Sequence, residues 1–302
     1  MAGFNRREFV GSIAAASLAA GSLLQGTARA AQQTASGQGA RFRGRILKSV
    51  KWGMIGGTNS VLERFELCKE LGYDGMELES PVDAASDEII AASRQTNMPV
   101  HGVVDMRHWQ IRLSSPNEAE RDQGRQILEQ AIRDCHAWGG FSVLLVPGTV
   151  RGDDENHEHV WNRSIAEIRK ALPLASRLGV RILIENVWNG FCEQPEQLRD
   201  YLDEIASPWV GSYFDIGNVR KFGPSEDWIR TLGHRIVKLD IKDWSTAKGF
   251  ASEIGDGDVN WPAVREALAE IDFSGWCTAE VGGGGRERLA EIARRMNSVL
   301  EL

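Results

Sequence analysis

The sequence predicts an α/β fold, a parallel sheet closed into a (β/α)8 TIM barrel, and two observations carry that prediction. Apolar runs alternate with helical stretches eight times along the chain, and several helical stretches end on a glycine. Strands joined by helices form parallel sheets with right-handed crossovers, and eight such units let the sheet close. An open doubly wound sheet would bring a glycine-rich phosphate loop after its first strand. Met54-Ile55-Gly56-Gly57-Thr58 is only a feeble version of one.

Strands are expected at 50–56, 75–79, 99–105, 141–147, 181–187, 210–216, 236–242 and 276–281. Each is short, rich in β-branched and aliphatic residues, and bounded by Gly, Pro or Asn. Between them the apolar residues follow the 3.6-residue helical period. Trp161, Ile165, Ile168, Leu172 and Ala175 share one face, as do Leu289, Ile292, Met296 and Val299. Gly72, Gly139 and Gly179 stand where helices end and suit left-handed caps.

The first thirty residues read as an export signal rather than as fold. Asn5-Arg6-Arg7-Glu8-Phe9-Val10 sets paired arginines before a mild apolar stretch from Gly11 to Leu24, and Ala28-Arg29-Ala30 offers a small-x-small cleavage site. Paired arginines point to the twin-arginine route. The stretch is too short and too weakly apolar to serve as a stable membrane anchor, so the protein is expected to be exported, periplasmic or extracellular. Residues 31–46 read as a polar linker, and 47–302 as a single catalytic barrel.

The net charge is −7 with both signs interspersed, which gives no basic face for a nucleic acid. Cys68, Cys135, Cys192 and Cys277 lie far apart in no metal-like spacing and are expected as buried thiols.

In this fold the active site lies at the C-terminal ends of the strands, and the last four expected strands each carry a carboxylate there: Glu185, Asp215, Asp240 and Glu280. Side chains alternate between faces along a strand. Val237, Leu239 and Ile241 should therefore face the helices, while Lys238, Asp240 and Lys242 point inward. Glu280 shares a face with Thr278, and Glu77 with Glu79, one of which should meet Lys238 or Lys242. Four carboxylates so close repel one another and raise each other's pKa. A divalent cation removes the problem, and oxygen ligands suit manganese or magnesium better than zinc or cobalt. His101, inside the third strand, is a candidate for a substrate hydroxyl or a core histidine. His157 and His159 fall in an acidic stretch read as a solvated loop. Trp52, Trp109, Trp188 and Trp244 lie near strand ends or their loops, where aromatic faces would suit an apolar ligand surface; core packing explains at least two of them equally well.

These motifs together resemble the xylose-isomerase-like TIM-barrel superfamily of sugar isomerases, epimerases and endonuclease-IV-like proteins. The matching residues are Gly72-Tyr73-Asp74-Gly75-Met76-Glu77-Leu78, Ala175 to Gly179 leading to Ile184-Glu185-Asn186, Phe214-Asp215-Ile216-Gly217-Asn218, Ile241-Lys242-Asp243, and Ile254 to Trp261. The resemblance implies one metal held by Glu185, Asp215, Asp240 and Glu280. It departs at Asp240, where the family usually has His, and at Asn218, where its sugar epimerases commonly place a substrate-binding His. Lys242 or Lys248 would stand in for the family's basic residue after strand seven, and Trp188 and His101 join Asn218 and Lys242 as substrate contacts. The implied reaction is proton transfer beside a carbonyl, with Glu185 and Glu280 removing and returning the proton. A ketose isomerase or epimerase fits this chemistry. So does a lyase or hydratase on 3-keto-glycosides or related oxidised sugars, and a non-catalytic sugar-binding module is the third alternative. Abasic-site endonuclease activity needs a His-rich multi-zinc site that the chain lacks. The partner is a small carbohydrate, and the sequence leaves the oligomeric state open. Replacing Arg6 and Arg7 with Lys should strand the protein in the cytoplasm, and unchanged export on cell fractionation would overturn the signal reading.

Overall fold

The computed structural model describes residues 41–302; the expected export signal and residues 31–40 of the expected linker lie outside the described residues. The strands are β1 (Ile46–Lys51), β2 (Gly75–Ser80), β3 (Val100–Asp105), β4 (Ser142–Leu145), β5 (Arg181–Glu185), β6 (Val210–Asp215), β7 (Ile236–Ile241) and β8 (Gly275–Ala279). The helices are α1 (Val61–Glu70), α2 (Ser86–Thr96), α3 (Glu118–Ala137), α4 (His157–Leu178), α5 (Pro195–Ile205), α6 (Ser225–Leu232), α7 (Trp261–Glu270) and α8 (Arg286–Leu300). The strands pair in parallel in chain order, and β8 closes on β1. This is a (β/α)8 barrel.

Local chemistry sets the element ends. The Ser60 hydroxyl accepts from the Glu63 N–H to open α1, and the Asn156 side chain accepts from the His159 N–H to open α4. Gly72, Gly139 and Gly179 take φ of +77°, +86° and +68° at the helix ends where left-handed caps were expected. The four cysteines are free and buried.

Three expectations are corrected. The first strand runs 46–51 rather than 50–56, and Trp52–Met54 is a 3-10 turn that follows it. At the end of the expected linker, Phe42 is fully buried in the core and Arg45 pairs with Asp272. Second, Val237 does not share the outward face of Leu239 and Ile241. The β6–β7 register shifts so that Ser212 faces Ile236 while Tyr213 faces Lys238, and Val237 packs instead with an interior cluster of Val104, Leu144, Leu183 and Tyr213. A bulge moves one residue out of the alternation. The 153–159 stretch is also less solvated than expected, since Glu155 is buried against Arg112 at 2.9 Å and His157 begins α4.

The barrel interior is polar at mid-height. Lys238 and Glu77 are both fully buried and form an ion pair. The Tyr213 hydroxyl lies 2.9 Å from Glu77 Oε2 and 2.7 Å from Thr278 Oγ1, and Ser49 Oγ lies 2.8 Å from Thr278 Oγ1. Glycine at position 102 leaves room for this pair, since a Cβ there would stand 2.6 Å from Lys238 Nζ and 3.0 Å from Glu77 Oε1. Burial lowers the pKa of Lys238, and Glu77 opposes that drop. Removing one partner of a buried pair leaves an uncompensated charge. Glu77→Ala should therefore cost about 3–5 kcal/mol in urea unfolding, whereas replacing both partners with Met should cost far less. Equal losses in the two proteins would contradict this account.

Candidate metal centre

The β5–β8 wall ends in an acidic ring. One oxygen from each of Glu185, Asp215, Asp240 and Glu280 lies within 4.8 Å of the others. Glu185 and Asp215 close β5 and β6, Asp240 is the penultimate residue of β7, and Glu280 directly follows β8. The pleat points all four inward.

Asparagine side chains fix the first two. Asn186 Nδ2 donates to the Asp215 carbonyl at 2.9 Å, and Asn186 Oδ1 accepts from the Asp215 N–H at 3.0 Å. This reciprocal clamp ties the ends of β5 and β6 together. The Asn218 N–H donates to Asp215 Oδ1 at 2.7 Å, and its amide donates to the Asn186 carbonyl at 2.9 Å and to Glu185 Oε1 at 3.4 Å. Asn218, expected as a substrate contact, therefore commits its donors to the ring.

Two ammonium groups enter the ring. Lys242 Nζ lies 3.0 Å from Asp215 Oδ2 and also binds Glu280 Oε2. Lys51 Nζ lies 2.8 Å from Asp240 Oδ2 and also binds Glu280 Oε1. Burial pushes the Glu185 carboxyl well above its ordinary range and Glu280 adds repulsion, with Lys51 opposing. Burial likewise raises Asp240, against Lys51, and lifts Asp215 to about 7, against Lys242. Burial pulls Glu280 the same way, but the two ammonium groups win and hold it well below the carboxylate range.

With all four carboxylates ionised, the two ammonium groups leave two negative charges, which one divalent cation would neutralise. Asp240 Oδ1 is buried and has no hydrogen-bond partner, a costly state for a charged oxygen. The donor set, all carboxylate oxygen, fits a hard divalent ion. The residues present therefore fit a cation held by Glu185, Asp215, Asp240 and Glu280.

Of the remaining expected contacts, Trp188 stands at the mouth, 40 % exposed, with its Nε1 donating to the Asn218 carbonyl at 2.6 Å. It packs on Phe250 at 4.7 Å and edge-on to Trp244 at 6.1 Å. Lys242 Nζ lies 4.9 Å from the Phe250 ring centroid, so this aromatic wall adjoins the ring. Asp243 shapes the loop that carries Phe250, accepting from the N–H groups of Trp244, Gly255 and Val259 and from Trp261 Nε1. That explains the Ile241-Lys242-Asp243 and Ile254 to Trp261 motifs.

His101 does not reach the mouth. As the second residue of β3 it sits low in the barrel, 3 % exposed, stacked 4.1 Å from Trp276 and bonded at 2.7 Å to Ser49 Oγ. The expected substrate contact is a core histidine. Sequence reasoning missed Lys51, because the first strand was placed four residues late. It also missed His108 in the loop after β3. His108 is buried, its Nδ1 accepts from the Val146 N–H at 3.4 Å, and burial together with the Lys51 charge pushes its pKa down to about 3.

Residues 65–299 match the xylose isomerase-like TIM barrel family, and the chain belongs to that family. It is 25 % identical over 231 residues to the L-ribulose-5-phosphate 3-epimerase UlaE of Escherichia coli (strain K12 / DH10B), covering 72 % of this chain and 79 % of the relative. Among solved structures it is similar to 3-keto-D-glucoside 4-epimerase, YcjR, from E. coli, with a TM-score of 0.69 at 15 % identity over 84 % of this chain and 98 % of that one. It is also similar to the IOLI protein with a binding zinc atom, with a TM-score of 0.70 at 17 % identity over 84 % and 98 % of the two chains.

Burial, with the Lys238 charge adding to it, depresses the His101 pKa well below 6.5. As pH falls through about 6.5 the unfolded chain takes up a proton that the folded chain refuses, so this part of the stability is present above that pH and lost below it. His101→Gln has no such contribution. The urea-stability gap between wild type and His101→Gln should therefore narrow from about pH 7.5 to about pH 5; a widening gap would show that His101 is protonated in the fold.

Proposed function

We propose that the protein is a divalent-metal-dependent epimerase or isomerase that moves the proton beside the carbonyl of a keto sugar. The observation that carries this reading is the crowded ring of Glu185, Asp215, Asp240 and Glu280, with the Asp240 Oδ1 atom buried and unpartnered. Membership of the family and the epimerase names of its relatives support it. When bound, a manganese or magnesium ion would polarise the carbonyl and its neighbouring hydroxyl.

The chain's own residues divide the proton work. Glu185 and Glu280 come from β5 and from the end of β8, with β6 and β7 between them, so they flank the space above the ring. Their environments push their pKa values in opposite directions. One of the pair would remove the proton from one side of the substrate and the other return it from the opposite side. Lys242 keeps Glu280 and Asp215 in place, Asn218 orients Glu185, and Trp188 offers an apolar face to the sugar.

A second reading, elimination from a 3-keto-glycoside, is favoured by the rim. The four large apolar side chains that are exposed among the described residues are Met106, Trp109, Trp188 and Phe250. All four lie in loops after β3, β5 and β7, at the mouth. Two aromatic walls there leave a surface for a second ring or an aglycone. The export expected from the twin-arginine motif at Arg6 and Arg7 would also favour this reading, since the breakdown of foreign glycosides can begin outside the inner membrane.

Elemental analysis of the purified protein should find a divalent metal, and an Asp215→Ala, Asp240→Ala double variant should lose it. Glu185→Gln and Glu280→Gln should stay down by roughly 10²–10⁴-fold at saturating metal, the usual contribution of a general base. Exchange in heavy water with a panel of ketoses and keto-glycosides separates the reactions. An isomeric sugar identifies the epimerase, and a released aglycone with an unsaturated product identifies the lyase. Wild-type exchange in Glu280→Gln would leave Glu280 a ligand alone.

A further inference from the structure

Lys51 is the last residue of β1, and barrel closure brings it alongside β8, where Val50 pairs with Ala279. It shares an inward face with Ser49, whose hydroxyl meets Thr278. Only 12 % of the Lys51 side chain is exposed. Its ammonium group joins Asp240 Oδ2 to Glu280 Oε1, and Lys242 occupies Glu280 Oε2. Both Glu280 oxygens are thus held by ammonium groups.

Asp240 is in a different position from its neighbours. Asp215 is held by the Asn218 N–H as well as by Lys242. Asp240 is fully buried, and Lys51 is its sole ion-pair partner among the described residues. A cation drawing one oxygen from each ring carboxylate would share Glu280 with an ammonium group and lie close to Lys51. Two positive charges at such separation in a partly desolvated site repel strongly.

We propose that Lys51 is a built-in counter-cation of the carboxylate ring: it holds Asp240 and Glu280 together when no metal is bound, and its charge opposes a divalent ion entering the ring. This rests on the ring being a cation site. It goes further by making Lys51 a competitor that sets how tightly the ion is held. Without Lys51, Asp240 is a buried carboxylate with no compensation, and such a charge destabilises the fold until another cation arrives.

The experiment compares wild type with Lys51→Met, Lys221→Met and a Lys51→Met, Asp240→Asn double variant. Manganese affinity is read by titration calorimetry, and melting is followed with chelator and with added manganese. Lys221 lies at the mouth, 4.8 Å from the Trp188 ring centroid and outside every ion pair with the ring, so Lys221→Met measures the loss of a nearby but uninvolved charge. Lys51→Met should bind manganese more tightly by about tenfold or more. It should melt lower than wild type in chelator and regain most of the loss with manganese. Lys221→Met should stay within about twofold of wild type, as a screened charge would. The double variant, in which no uncompensated carboxylate is left at position 240, should recover its metal-free melting and lose the gain in affinity. Wild-type or weaker affinity in Lys51→Met would overturn the competition while leaving the metal reading intact. Binding by neither wild type nor Lys51→Met would remove the metal from both.

Discussion

Mutual repulsion among carboxylates at the rim is the constraint on which the rest of the upper barrel depends. Four acidic groups whose oxygens come within 4.8 Å would drive the strand ends apart or stay protonated. The chain meets this from three directions. Lys51 arrives from β1, Lys242 rises from the end of β7, and Asn186 and Asn218 stitch β5 to β6. The compensation falls two charges short, and that shortfall gives the site its appetite for a hard cation.

Below the ring the barrel uses the same chemistry to a different end. Glu77 and Lys238 cancel each other in full burial, and Tyr213, Thr278 and Ser49 satisfy the neighbouring lone pairs. One layer is balanced and inert, while the other is unbalanced and open to the mouth. The difference lies in solvent access and in the count of positive groups.

Much of this was legible in the chain. Parity along strand seven placed Lys238 and Asp240 inside, and the strand ends named the four carboxylates, because period-2 alternation and the barrel's polarity are local rules. What failed was local in a different way. Val237 changed company because a bulge in the β6–β7 register breaks alternation, and bulges depend on pairing that no single strand reveals. Lys51 went unseen because the apolar residues Trp52, Met54 and Ile55 extended the first strand's pattern past its true end. Had β1 been ended at position 51, the Ser49–Lys51 alternation would have shown a lysine aimed at the ring. His101 read equally well as a substrate contact or a core residue, and only its height in the barrel decided between them. His108 lies in a loop without periodicity, where no signal was available.

The ring side chains sit at the ends of strands, whereas the exposed aromatic rim sits in the connecting loops. Bond-making and recognition are thus written in separate stretches of chain. A loop can be lengthened, shortened or recoloured without moving a strand end, so descendants of this barrel can change diet while keeping their tools. The ring is harder to alter, because its side chains are held by neighbours on the wall.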